Sequence, residues 1–223
     1  MILAQTDTSK IVYLIPGTGS DARLFDALNI EQSTEVIEYE IPKKGETMAD
    51  YARTLAQQID TSRRFSIIGV SLGGMLAVEM SKYLPAEEVI VVSSAKTREE
   101  LPTTYRFFQK VPIYHLIGGR TYKFFTRLFQ PFYEPLSEND EIVWQAILEG
   151  KDPLFMRRAV PIIIEWENKS YDNERITHIH GTKDRTIPVK NVQNAILIED
   201  ATHMMMMDRA EEVSNLIRTV ISL

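Results

Sequence analysis

The chain has no cysteine. Disulfides, thiolate nucleophiles and cysteine-ligated metal centres are therefore excluded, and cysteine usage carries no mark of a redox compartment. Long apolar runs are also missing, so no membrane span is expected. The opening residues, "MILAQTDTSK", have neither the basic start nor the apolar centre of a secretory leader, and cytoplasmic localisation is the expectation. Positive charge is in deficit: 25 Lys and Arg stand against 31 Asp and Glu, a net charge of −6 with no long basic run. Nucleic acid is not an expected partner. Internal repeats, low-complexity tracts and flexible linkers are absent as well. With 223 residues, 44% of them hydrophobic, the chain can bury one sizeable core, and a single domain over residues 1–223 is expected. The oligomeric state is not legible from the sequence.

Short β-branched runs are present at 11–15, 35–41, 65–70, 89–94, 176–180 and 195–199. Several are apolar at consecutive positions, as in strands buried on both faces. Between the second and third, Thr47 and Asp50 form a capping-box pattern, and Met48, Tyr51, Leu55 and Ile59 share a helical face. A second helix follows Ser71 and stops by Pro85, and a last one carries Val213, Leu216, Ile217, Val220 and Ile221 on one stripe. The alternation predicts an α/β fold with a mostly parallel sheet of about six strands, covered by helices on both faces. Residues of about 96–166 break it, with helix-like, aromatic-rich segments punctuated by proline, and are read as a helical cap inserted between the fourth and fifth strands.

At the end of the third run, Gly69-Val70-Ser71-Leu72-Gly73 joins a strand to a helix. Glycine two residues either side of a serine lets the backbone turn without side-chain clashes and leaves the hydroxyl projecting above the sheet. The pattern alone is weak; a strand before and a helix after give it weight. Such a hydroxyl needs a base, and the base needs a group to fix its tautomer. Of the four histidines, His115 reads as a packing or surface residue, and His178 and His180, i and i+2 on one strand face, as structural. His203 lies in a loop after the last strand, where open α/β sheets bind ligands. Asp184, in the turn after 176–180, is the leading acid, with Glu99, Glu100 and Asp200 as rivals. Oxyanion donors are expected from the amides of Leu72, just after the serine, and of Thr18, in the Gly-containing loop after the first strand.

On "PGTGSDARLF", "GVSLGG", "HGTKDRTIP" and "DATHMMMMDRAEEVSNLI" the chain resembles the α/β-hydrolase-fold serine hydrolases, over about residues 11–95 and 167–223. The resemblance implies a Ser71, His203, Asp184 triad, an oxyanion hole at Thr18 and Leu72, no cofactor or metal, and a helical cap over the pocket. Two departures stand out. The two antiparallel strands that usually open the family's sheet find no room before Ile11, and Thr202 replaces a common glycine before the histidine. Substrates in such a family range over esters, thioesters and amides, and relatives include lyases and haloperoxidases.

An ester or thioester of a small or medium lipophilic acyl group, cleaved through an acyl-enzyme, is the expected small-molecule substrate. Acyl transfer, lyase chemistry and ligand binding with little turnover are the alternatives. Phe107, Phe108, Phe124, Phe125, Phe129, Phe132 and Tyr133 give the insertion an aromatic side that either glues it to the sheet or lines a pocket; Phe108, Phe125 and Met204 are the candidate substrate contacts. Arg120, Lys123, Arg127, Arg157 and Arg158 would suit an anionic substrate, though solvated helix faces explain them more cheaply.

Overall fold

The computed structural model describes residues 10–133 and 136–221, without the side chains of Phe129 and residues 131–133. Expectations for residues before Lys10 and for the rings of Phe129, Phe132 and Tyr133 fall outside this range.

Six strands form one parallel sheet: β1 (Ile11–Ile15), β2 (Ser33–Val36), β3 (Phe65–Val70), β4 (Val89–Val92), β5 (Ile176–Gly181) and β6 (Ile196–Ile198), in the order β2-β1-β3-β4-β5-β6. The consecutive apolar residues of the inner strands are explained by the layers around them. Ile11, Tyr13, Ile15, Ile67 and Val91 face a core shared with α1 (Met48–Leu55) and α2 (Leu72–Ser81). Val12, Leu14, Ile68, Ile90 and Val92 face the opposite core, closed by α7 (Met205–Asp208) and α8 (Ala210–Ile221). The inner strands β1, β3 and β4 thus bury both of their faces, whereas the edge strands β2 and β6 are largely exposed. The Thr47 hydroxyl accepts the Asp50 amide at 3.1 Å and donates to the Asp50 carboxylate at 2.7 Å, so the capping pattern starts α1 as expected; such a cap contributes about 1 kcal/mol.

The second run departs from its expected span of 35–41. It is a strand only over Ser33–Val36, because its neighbour β1 ends at Ile15 and Pro16 follows. Beyond one further bond, from Ile37 N to Leu14 O at 2.9 Å, the backbone of Glu38 is satisfied by the Gln58 side chain instead. Similarly β4 stops at Val92, where Ser93 takes φ 46° and turns the chain out of the sheet.

Between β4 and β5 lie α3 (Thr103–Lys110), α4 (Gly119–Tyr133), α5 (Glu138–Gly150) and α6 (Pro153–Ile164), with no strand among the described residues of this stretch. The insertion packs firmly on the sheet layer: Leu148, Phe155, Met156, Ala159 and Ile162 belong to the same core as α1 and α2. Trp166 Nε1 donates to Glu79 Oε1 at 2.7 Å and Arg158 to Pro42 O at 2.7 Å. Among the described residues no helix is long and apolar enough to cross a membrane.

Candidate active site

Strand order reverses at β1, and the loops leaving the carboxyl ends of β1 and β3 are therefore neighbours, the position where open α/β sheets form a crevice. Ser71 stands there as the residue preceding α2, with φ 53° and ψ −117°. A positive φ crowds the Cβ of an L-residue and costs about 1–3 kcal/mol, so the conformation persists only because its surroundings hold it. Ser71 N donates to Val92 O at 3.0 Å, and Ser94 Oγ donates to Ser71 O at 2.6 Å.

The flanking glycines act by lacking a side chain. A Cβ on Gly69 would stand 2.2 Å from Gly73 O, and one on Gly73 would stand 2.1 Å from Ile15 O. Neither glycine has a positive φ. The unusual dihedral belongs to the serine, and the glycines let helix and strands close around it.

His203 Nε2 lies 3.1 Å from Ser71 Oγ, and its Nδ1 lies 2.8 Å from Asp184 Oδ2. A carboxylate only accepts, so Nδ1 carries the proton and Nε2 offers its lone pair to the hydroxyl. The Asp184 side chain is fully buried and that of His203 is 11% exposed. Burial pushes the Asp184 carboxyl up, but the neighbouring His203 and its hydrogen bond, with His180 and the Ile187 amide (2.7 Å to Oδ1), more than offset this and hold it below its ordinary value.

The rivals fall away. Asp200 pairs with Lys183 at the surface, Glu99 is exposed, and Glu100 is committed to Lys96 at 3.2 Å and to the amides of Lys96 and Gln193. Leu72 opens α2, where the first amides have no intrahelical carbonyl to meet, and Thr18 lines the cavity beside Ser71. The loop carrying Thr18 comes close: a Cβ on Gly17 would be 3.4 Å from that of Ser71.

His178 and His180, expected to be structural, form a buried chain behind the acid. His180 Nε2 faces Ile187 O at 2.9 Å, with Asp184 Oδ2 at 3.4 Å; a carbonyl accepts, so Nε2 bears the proton. His180 Nδ1 then accepts from His178 Nε2 at 3.2 Å, and His178 Nδ1 accepts from Lys96 Nζ at 2.9 Å. Burial first, with Lys96 beside it, holds His178 well below its ordinary value; burial also lowers His180, against the pull of Asp184. Sequence reasoning missed this connection, whose only signal was the i, i+2 spacing. His115 pairs with Glu165 at the surface.

Above Ser71 the inserted helices enclose a cavity of about 720 Å³, walled mainly by apolar side chains. Phe108, Phe125 and Met204, the candidate substrate contacts, all line it; Tyr105, Trp144 and Gln130, not anticipated, line it too. Met205 and Met206 are core residues. Among the described residues no group of three or more His, Cys, Asp or Glu side chains is placed to hold a metal ion.

The sequence matches none of the curated proteins. Solved structures do resemble this one. A hydrolase from Pseudomonas aeruginosa superposes with a TM-score of 0.74 at 14% identity, covering 99% of this chain and 97% of that one. An esterase from Exiguobacterium antarcticum gives 0.73 at 12% identity, covering 97% and 93%, and a bromoperoxidase from Bacillus anthracis gives 0.68 at 19% identity, covering 96% and 92%. At these identities the likeness establishes the fold. The sequence itself matches the profile of the alpha/beta hydrolase family over residues 11–216, which takes in all six strands and every helix but the end of α8, and this chain belongs to that family.

Proposed function

We propose that this protein is a serine hydrolase that cleaves esters or thioesters of a medium-sized lipophilic acyl group through an acyl-enzyme. The observation that carries the reading is the unbroken line from Asp184 through His203 to Ser71, opening into an apolar cavity. Esterases among the structural neighbours support it.

The Ser71 Oγ–H proton passes to His203 Nε2 as Oγ attacks the carbonyl carbon. Negative charge builds on the carbonyl oxygen, and the amides of Thr18 and Leu72, the latter at the positive end of α2, stabilise it. His203 then returns the proton to the departing alcohol or thiol, leaving the acyl group on Ser71. Water, deprotonated by the same imidazole, releases the acid. Asp184 holds the Nδ1–H tautomer throughout and stabilises the transient imidazolium.

Placing the acyl chain in the cavity gives chain-length preference. Its volume falls within the range of about 300–1,000 Å³ typical of small-molecule sites. A series of p-nitrophenyl esters tests the reading: kcat/KM is expected to rise from the acetate to medium-chain esters, and Ser71→Ala is expected to abolish turnover. A wild type that turns over no ester or thioester, or an active Ser71→Ala, overturns it.

A further inference from the structure

Among the described residues, seven of the fourteen large hydrophobic side chains that stand exposed lie between Phe107 and Leu128. They include Leu116, 87% exposed, and Phe124, 60% exposed. Phe107 on α3 and Val111, which caps the end of that helix and donates to Phe107 O at 3.0 Å, are four residues apart, and Phe124 and Leu128 share one face of α4. Ordinary surfaces scatter such residues singly; a cluster of this kind marks a site of association.

The charge of this face is one-sided. Residues 101–133 contain Arg106, Lys110, Arg120, Lys123 and Arg127 and no Asp or Glu, in a chain of net charge −6. Among the described residues, two acids from elsewhere pair with it: Glu149 with Arg127, and Glu165 with His115. Arg106, Lys110 and Arg120 are exposed beside the apolar residues. The cavity opens here as well, because Ile113 and Phe125 both line it and both are exposed.

We infer that the face built by α3, α4 and the turn between them docks on an anionic lipid surface. Aromatic and aliphatic side chains enter the headgroup boundary while Arg106, Lys110 and Arg120 meet the lipid phosphates. Docking would set the cavity mouth against the bilayer, so that a lipophilic ester passes into the cavity without crossing water; this last clause rests on the hydrolase reading, and the docking does not. A second copy of the chain is a poorer occupant, since a two-fold contact sets each of these cations against a like-charged surface.

Flotation with vesicles tests the docking. The protein is expected to bind vesicles of equal parts phosphatidylglycerol and phosphatidylcholine, to bind pure phosphatidylcholine far more weakly, and to be released by salt. Each cation near the surface is worth about fivefold, so the triple variant Arg106→Glu, Lys110→Glu, Arg120→Glu is expected to lose roughly a hundredfold or more in partitioning. Leu116→Ser and Phe124→Ser are each expected to weaken it by roughly tenfold. All of these positions are exposed, so circular dichroism and turnover of a short water-soluble ester should match the wild type. Ser71→Ala should float like the wild type, which separates failure of the docking from failure of the hydrolase reading. The inference is overturned by absence of flotation, by equal binding to both vesicle types, or by a dimer that Phe124→Ser dissociates in a protein that ignores vesicles.

Discussion

His178 and His180 make the stability of the protein acid-sensitive in a defined window. His178 Nδ1 accepts a hydrogen bond from the Lys96 ammonium at 2.9 Å, and both side chains are buried. Protonating that nitrogen would remove the acceptor and set two cations face to face, a repulsion of roughly 6 kcal/mol at an effective dielectric of about 20. Protonating His180 at Nδ1 would oppose a second donor to the His178 Nε2–H. The charged groups around the pair are Lys96, Glu100, Asp184 and His203, and the net effect on both histidines is downward.

In the unfolded chain both titrate near 6.5. Below that pH the unfolded state binds more protons than the folded one, so stability falls as pH falls. For His178, held well below its ordinary value, each unit of pH below the unfolded value costs at most about 1.4 kcal/mol, and His180 adds to the loss in the same direction. Asp184, whose carboxyl is held low, adds stability that is lost only at more acid pH. Urea unfolding at about pH 7.5 and about pH 5.5 measures the difference, and the double variant His178→Gln, His180→Gln is expected to show a smaller one. NMR titration of the imidazoles gives a second, direct reading in the folded wild type, in which both rings should titrate below 6.5, His178 the further below. Parallel stability profiles for wild type and variant, or a ring that titrates near 6.5, would refute the reasoning.

Gly73→Ala forces a Cβ to 2.1 Å from Ile15 O and must push the elbow away from β1; a loss of about 1–3 kcal/mol in thermal unfolding and a sharp drop in esterase kcat are expected. Lys96→Met leaves the Glu100 carboxylate, 3% exposed, without its counter-ion and removes the donor to His178; a destabilisation of about 3 kcal/mol in urea is expected, and an unchanged midpoint would contradict the buried pair.

The strands buried on both faces were legible because consecutive apolar residues such as Ile67 and Ile68 have a helical layer to meet on either side. Ser71, Asp184 and His203 were legible because each follows a strand, and parallel strands deliver their carboxyl ends to one edge. The extent of β2 was not, since it depends on where β1 runs out and not on the alternation in "EVIEYEI". Neighbouring rings were equally opaque: Phe108 and Phe125 line the cavity while Phe107 and Phe124 do not, a division set by the rotation of α3 and α4 against α6. Nor could sequence disclose that the rings of His178 and His180 relay hydrogen bonds between Lys96 and the Asp184 turn, because that depends on the segment after β4 meeting β5 and its following turn in space.

The central claim is that Ser71 is a nucleophile activated by His203. Treating the folded protein with a fluorophosphonate and mapping the adduct by mass spectrometry tests it most directly. Labelling is expected at Ser71, much slowed in His203→Ala and absent after unfolding. A folded wild type that stays unlabelled at Ser71, or labels equally fast without His203, contradicts the account.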